Sequence, residues 1–287
     1  MKRAALVVVA VIGCSSSCIC AAPAPAPEGL EDLARFIWDR FEIKEDTDVA
    51  LQDQELHAAF INLDEELAKL EVDDDTPFKS VLQDIDQDRV KDLEGMADRS
   101  DKIGLAQGLV VANIVHCTLE QNENITLSEK SAEIHGDVYT KYEKEFDDDI
   151  GPFDDGDSDQ IFWRLNYTIG SPPVGSPYSA ETRAAARRVK AIDDETSPFG
   201  DLFLTRVHLP QPAEFEGDGS QFDLDFQLET YHQREDGNLI HFYAMWRRMV
   251  LGPVDSSQEI FINTSLDGMV DWDKETEVAC GDGRADD

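Results

Sequence analysis

His232 and His241 flank a turn at Asp236-Gly237, and two histidines on paired strands are the beginning of a zinc site. A closed site needs more protein ligands. Glu229 and Asp236 are near only along the chain, and His208 belongs to another run, so the pair reads as ordinary strand histidines. Asp84, Asp86, Asp88 and Asp92 take positions one, three, five and nine of a calcium loop. Arg89 stands where that loop needs Gly, and Gly95 where it needs a bidentate Glu. Asp155, Asp157 and Asp159 alternate around Gly156 and read as a solvated acidic stretch. No metal is therefore expected. Arg183, Arg187, Arg188 and Lys190 form the one basic cluster, which suits docking against the chain's own acidic surface.

Enzyme signatures are missing. There is no Gly-x-Ser-x-Gly elbow, no phosphate-binding glycine loop and no His-Glu-x-x-His, and Gly170 to Pro177 lacks the Lys of a P-loop. No cofactor and no catalytic residue are expected. The chain has 287 residues, with 61 acidic against 25 basic ones, a net charge of −36. Such a surface repels the phosphates of nucleic acid, so no nucleic-acid partner is expected.

Met1-Lys2-Arg3 is a basic start, and Ala4 to Gly13 is an apolar run too short to span a bilayer. That is the form of a signal peptide. It ends in Val11-Ile12-Gly13-Cys14, which resembles the lipobox of bacterial lipoproteins. The resemblance covers the first 14 residues. It implies that Cys14 becomes the lipidated first residue of a protein anchored in the cell envelope. With Ser15 and Ser16 following, it implies the outer membrane. Ordinary secretion, with cleavage near Cys20-Ala21-Ala22, is the alternative. The Ala-Pro repeats before residue 28 read as a tether. Export permits disulfides, and Cys117 and Cys280 are the two cysteines of the body. They form either one bridge or a buried and a free thiol. The sequons at Asn124, Asn166 and Asn263 are chance under the bacterial reading.

Gln221 to Leu251 carries the strongest structural signal. Phe222, Leu224, Phe226 and Leu228 alternate with Asp223, Asp225, Gln227 and Glu229, the two-residue period of a strand with one buried face. A two-residue turn at Asp236-Gly237 pairs Leu228 with Met245, Leu224 with Met249 and Asp225 with Arg248. It also pairs His232 with His241, and sets Phe226 against Arg247 as the one mismatch. Leu30 to Phe41 and Gln54 to Leu70 have helical spacing. Helices are also expected from Phe78, over Ile103 to Leu119, over Lys130 to Phe146 and over Ser179 to Ile192. Strands are expected over Ile161 to Ile169, Leu202 to Leu209 and Glu259 to Asn263.

The expected organisation is a signal peptide (1–13), a tether (14–27), a helical region (28–146), an acidic linker (147–160), a sheet region with one inserted helix (161–280) and a loose tail (281–287). The fold class is α+β: an N-terminal helical layer or small bundle packed with a C-terminal antiparallel sheet that can curve. The first functional expectation is a non-catalytic, lipid-anchored envelope protein with a protein partner or a structural role. The second is a carrier of a small apolar ligand on the concave face of the sheet. Trp163, Tyr167, Phe226 and Met245 are its candidate lining.

Overall fold

The computed structural model describes residues 23–72, 76–134, 138–170, 176–192, 196–217, 219–281 and 283. Cys14, with the expected signal peptide and most of the tether, lies outside them. The helices are α1 (Leu30–Asp39), α2 (Val49–Lys69), α3 (Gln87–Val90), α4 (Leu119–Leu127), α5 (Ser131–Ile134), α6 (Gly151–Asp154) and α7 (Glu259–Gly281). The strands are β1 (Phe78–Leu82), β2 (Gln107–Val115), β3 (Tyr139–Phe146), β4 (Gln160–Ile169), β5 (Tyr178–Val189), β6 (Leu202–His208), β7 (Glu214–Phe215), β8 (Ser220–Gln233), β9 (Leu239–Leu251) and β10 (Val254–Asp255). They form one antiparallel sheet in the order β1-β2-β9-β8-β6-β5-β4-β3, with β10 beside β9 and β7 beside β5. The fold is α+β, a helical layer on an antiparallel sheet.

Both N-terminal helices form as their spacing requires. Leu33, Ala34 and Ile37 share the buried stripe of α1 with Trp38. The Asp48 side chain caps α2 by accepting from Leu51 N at 3.2 Å. Leu56, Ala59, Phe60, Leu63 and Leu67 form its buried stripe. Together the two helices cover one face of the sheet. Trp38 packs edge-on to Phe226 and Trp246, with ring centroids 6.2 and 6.1 Å away. Each such fully buried side chain contributes roughly 1.5–3 kcal/mol.

Four expected helices are strands or parts of strands. Phe78–Leu82 is the edge strand β1, with Val81 exposed. The apolar core of Ile103 to Leu119 is β2, buried on both faces, and pattern alone cannot separate a buried strand from a buried helix. Its β-branched Val110, Val111, Ile114 and Val115 were the available signal. Lys130 to Phe146 divides into the one-turn α5 and strand β3. Ser179 to Ile192 is strand β5, although Ala184-Ala185-Ala186 favours helix. Those alanines are all buried, because β5 is covered on both faces and small residues fit there. The reverse error falls at Glu259 to Asn263, which opens the long helix α7 rather than making a strand. Strands β1, β2 and β3 thus come from the stretch expected to be helical, and they join the same sheet as the rest.

The hairpin forms one residue out of the expected register. Its turn is longer, closing at Gln233↔Leu239, with Gly237 at φ 88° and its N–H donating to Arg234 O at 2.9 Å. Phe226 then meets Trp246 instead of Arg247, Leu228 meets Ala244, and Asp225 meets Arg247 instead of Arg248. The mismatch vanishes. A bulge between Phe222 and Leu224 moves the far end by another residue.

Candidate functional site

The second face of the sheet differs from the helix-covered one. Two apolar clusters close its ends. One joins Phe203, Tyr231, Trp163, Ala184 and Ala186 to α4, α6 and Cys117–Cys280. The other joins Phe222, Met249, Leu209 and Ala180 to Phe261 of α7. Along one side, Leu266, Met269 and Val270 of α7 cover Leu109, Val111 and Met245. The middle row of the same strands lies between these blocks. Tyr142, Leu165, Val207, Gln227, Glu229, Tyr243 and Arg247 are all half-buried there.

This middle row is desolvated yet open. Burial pushes the phenols of Tyr167 and Tyr243 well above the usual range, and raises those of Tyr139 and Tyr178. All four nevertheless keep accessible surface. Among the described residues, the phenol oxygens of Tyr139, Tyr167 and Tyr178 have no hydrogen-bond partner and are not sealed from space. Side chains that are surrounded, accessible and unpartnered mark this row as the open part of the second face. The sheet bends around it: Tyr139 of β3 feels the charges of Arg247 on β9 and Glu229 on β8. A flat sheet would hold β3 and β8 roughly 19 Å apart.

A polar network forms the floor. Arg247 Nε and Nη2 donate to the two carboxylate oxygens of Asp225 at 2.9 and 3.0 Å. Gln227 Nε2 also donates to Asp225, at 2.5 Å, while Gln227 Oε1 accepts from the Tyr243 hydroxyl at 2.6 Å. Arg247 keeps 20% side-chain exposure, whereas Asp225 keeps 1%. Beside this group, Tyr231 donates to Glu229 at 2.7 Å, and His241 Nδ1 donates to Asp273 of α7 at 2.6 Å. Burial opposes a charged His241, but Asp273 and Glu229 outweigh it and lift the pKa to about 9. Burial likewise opposes a charged Glu229, but the bond from His241 leaves its pKa below the usual value. Four tyrosines form a wall. Tyr139 stands edge-on to Tyr142 and Tyr167, at 5.2 and 5.7 Å, and Tyr167 edge-on to Tyr178 at 6.3 Å.

The residues expected to line a pocket separate. Tyr167 lines this open middle row. Trp163, at 4% exposure, fills the end cluster against Phe146, and Met245, at 1%, lies under α7. Phe226, at 0%, points to the opposite face and packs on Trp38, a correction that follows from strand alternation. Asp225, Gln227 and Glu229 read as a solvated face in the sequence but form the floor. Tyr231, Phe203 and Trp163 on the same face were the signal, because aromatics in that number are not left to water.

His232 and His241 do not meet. His232 pairs with Ile240 and lies on the helix-covered face between Phe60 and Phe199, while His241 pairs with Tyr231 on the other face. Among the described residues no His, Cys, Asp and Glu group suited to a metal occurs. Asp86 caps α3, and Asp88 pairs with Lys91 at 2.8 Å. The basic cluster is spent on the chain's own acids: Arg183 on Glu94 and Asp147, Arg187 on Asp53, Arg188 on Glu123, and Lys190 on Asp159. Cys117 and Cys280 are joined in a disulfide, which ties the end of α7 to the loop after β2. A broad cleft at the hairpin tip, about 640 Å³, is lined mainly by Asp64, Glu65, Arg234, Glu235 and Asp236. It opens widely to solvent and cannot enclose an apolar molecule.

Neither a family model nor a curated protein sequence matches this chain. Solved structures give matches at low similarity. Human STARD10 has 7% identity and a TM-score of 0.36, over 61% of this chain and 63% of that one. The chain therefore spans less than two thirds of that structure. A fragment of the STAR-related lipid transfer protein from Xanthomonas axonopodis has 9% identity and a TM-score of 0.35, over 63% and 86%. The lipid transfer and protein localization domain of human StarD13 has 7% identity and a TM-score of 0.38, over 76% and 93%. Likeness at this level assigns nothing. The class rests on the molecule itself: an α+β protein with one sheet face packed under helices and one face whose polar middle row lies between apolar clusters.

Proposed function

We propose that the chain binds a small apolar molecule in the hollow between the sheet and α7, without catalysis. One observation carries this reading. The middle row of the second face is desolvated, the phenol oxygens of Tyr139, Tyr167 and Tyr178 beside it have no partner among the described residues, and both ends are filled with apolar side chains. A hollow with a mainly apolar rim and a few placed polar groups is the usual form of a small-molecule site. Thermal unfolding with a panel of neutral lipids, sterols and aromatic compounds tests it. A ligand at 100 times its Kd adds about 2.7 kcal/mol and raises Tm. No Tm shift across the panel, together with no co-purifying molecule in native mass spectrometry, overturns it.

The Cys14 lipobox and the Cys117–Cys280 bridge together support export to an oxidising compartment, with Cys14 as a lipid anchor. Intact mass of the mature protein tests this separately. A first residue at Cys14 with added acyl mass is expected. A start near Ala22 without lipid overturns the anchor and leaves the binding site untouched.

A further inference from the structure

Among the described residues, every carboxylate around the hollow is engaged before a ligand arrives. Asp225 uses both oxygens on Arg247 and one of them also on Gln227. Asp273 accepts from His241 through Oδ1 and from Asn113 through Oδ2, at 3.2 Å. Glu229 accepts from Tyr231 and lies 3.5 Å from His241 Nε2. A cationic ligand would find no free carboxylate among the described residues. The cations are committed as well. Arg247 is held by Asp225, and His241 stands between Asp273 and Glu229. Lys144 at the rim turns away and donates to the carbonyls of Thr126 and Ser128, at the end of α4. Asp225, Glu229 and Asp273 outnumber Arg247 and His241 by one, so among the described residues no surplus positive charge is left for an anion. An ionised group placed there would lose its water and gain no counter-ion, which costs several kcal/mol.

Three hydroxyls remain. Tyr139, Tyr167 and Tyr178 sit on adjacent strands β3, β4 and β5, and each phenol can both donate and accept. Their rings are tilted steeply to one another, so faces and edges both border the space. We infer, resting on the binding function proposed above, that the hollow takes an uncharged apolar molecule bearing hydroxyl or carbonyl oxygens. The phenols of Tyr139, Tyr167 and Tyr178 recognise those oxygens, and ionised amphiphiles of the same body are rejected.

Three fluorescent probes with one ring system test this on the mature protein at pH 7: 1-pyrenemethanol, 1-pyrenecarboxylate and 1-pyrenemethylammonium. The alcohol is expected to bind at least ten-fold more tightly than either ion. Tyr167→Phe and Tyr178→Phe are each expected to weaken the alcohol three- to ten-fold with Tm unchanged, because neither hydroxyl has a partner among the described residues. An ion that binds as tightly as the alcohol overturns the inference. So does an alcohol affinity unmoved in both variants. If no probe binds but the lipid panel raises Tm, this inference falls and the binding function stands. If probes and panel both fail, both fall.

Discussion

On the face covered by α1 and α2, β8 and β9 present Leu224, Phe226, Leu228, Ile240, Phe242 and Trp246, all at or near zero exposure. On the other face the same strands present Asp225, Gln227, Glu229, Tyr243 and Arg247, which stay half-open or bonded to one another. One hairpin thus builds a packed core on one side and a polar floor on the other. The two sides are held by different physics. Dispersion and apolar burial hold the first, and closely matched hydrogen bonds between charges hold the second. A packed face loses most from lost volume, and a polar floor from a lost partner.

The largest expected effect is on the packed face. Phe226→Ala should cost about 3–5 kcal/mol in denaturant unfolding, because Trp38 and Trp246 cannot close on the vacancy. A cost under about 1 kcal/mol would break the contrast between the faces. Replacing Cys117 and Cys280 together by Ser should cost about 2–5 kcal/mol, since the bridge spans 163 residues and fixes the cover helix. Calorimetry of the variant in its soluble form would measure it. Asp225→Ala should cost about 2–3 kcal/mol by leaving Arg247 without its partner, with partial relief because Arg247 reaches the hollow.

His241 sharpens the contrast through pH. Its pKa is raised in the fold, so its contribution is fully present below about pH 6.5 and is lost as pH rises through about 9. Urea midpoints taken across that window should fall for the natural protein relative to those of His241→Gln. Equal slopes would remove His241 from the tie between α7 and the floor. The smallest effect belongs to Tyr167→Phe, which should change stability by less than about 0.5 kcal/mol. A larger loss in thermal unfolding would show that its hydroxyl is bonded within the protein and does not face the hollow.

Much of the molecule was legible from local pattern. The α+β class, helices α1 and α2, strands β4 and β6 and the hairpin follow from period and turn chemistry. The site was far less legible. Strict alternation marks Asp225, Gln227 and Glu229 as one face, but the same alternation serves water and a hollow equally well. Tyr139 and Tyr178 carried no local signal, because their value depends on Tyr167 lying between them on β4.

The sequence by itself determined where apolar and polar residues alternate, where α1 and α2 lie, how acidic the surface is and which cysteines could bridge. Periodicity, charge and composition are local properties, and a single chain displays them. Tertiary structure alone decided that Ala184-Ala185-Ala186 lies in a strand, that Glu259 begins a helix and that the hairpin shifts by one residue. It also decided which face of β8 meets helices α1 and α2 and which carries the polar floor. Those outcomes depend on what packs against each segment, and burial on both faces outweighs the fractions of a kcal/mol that separate local propensities.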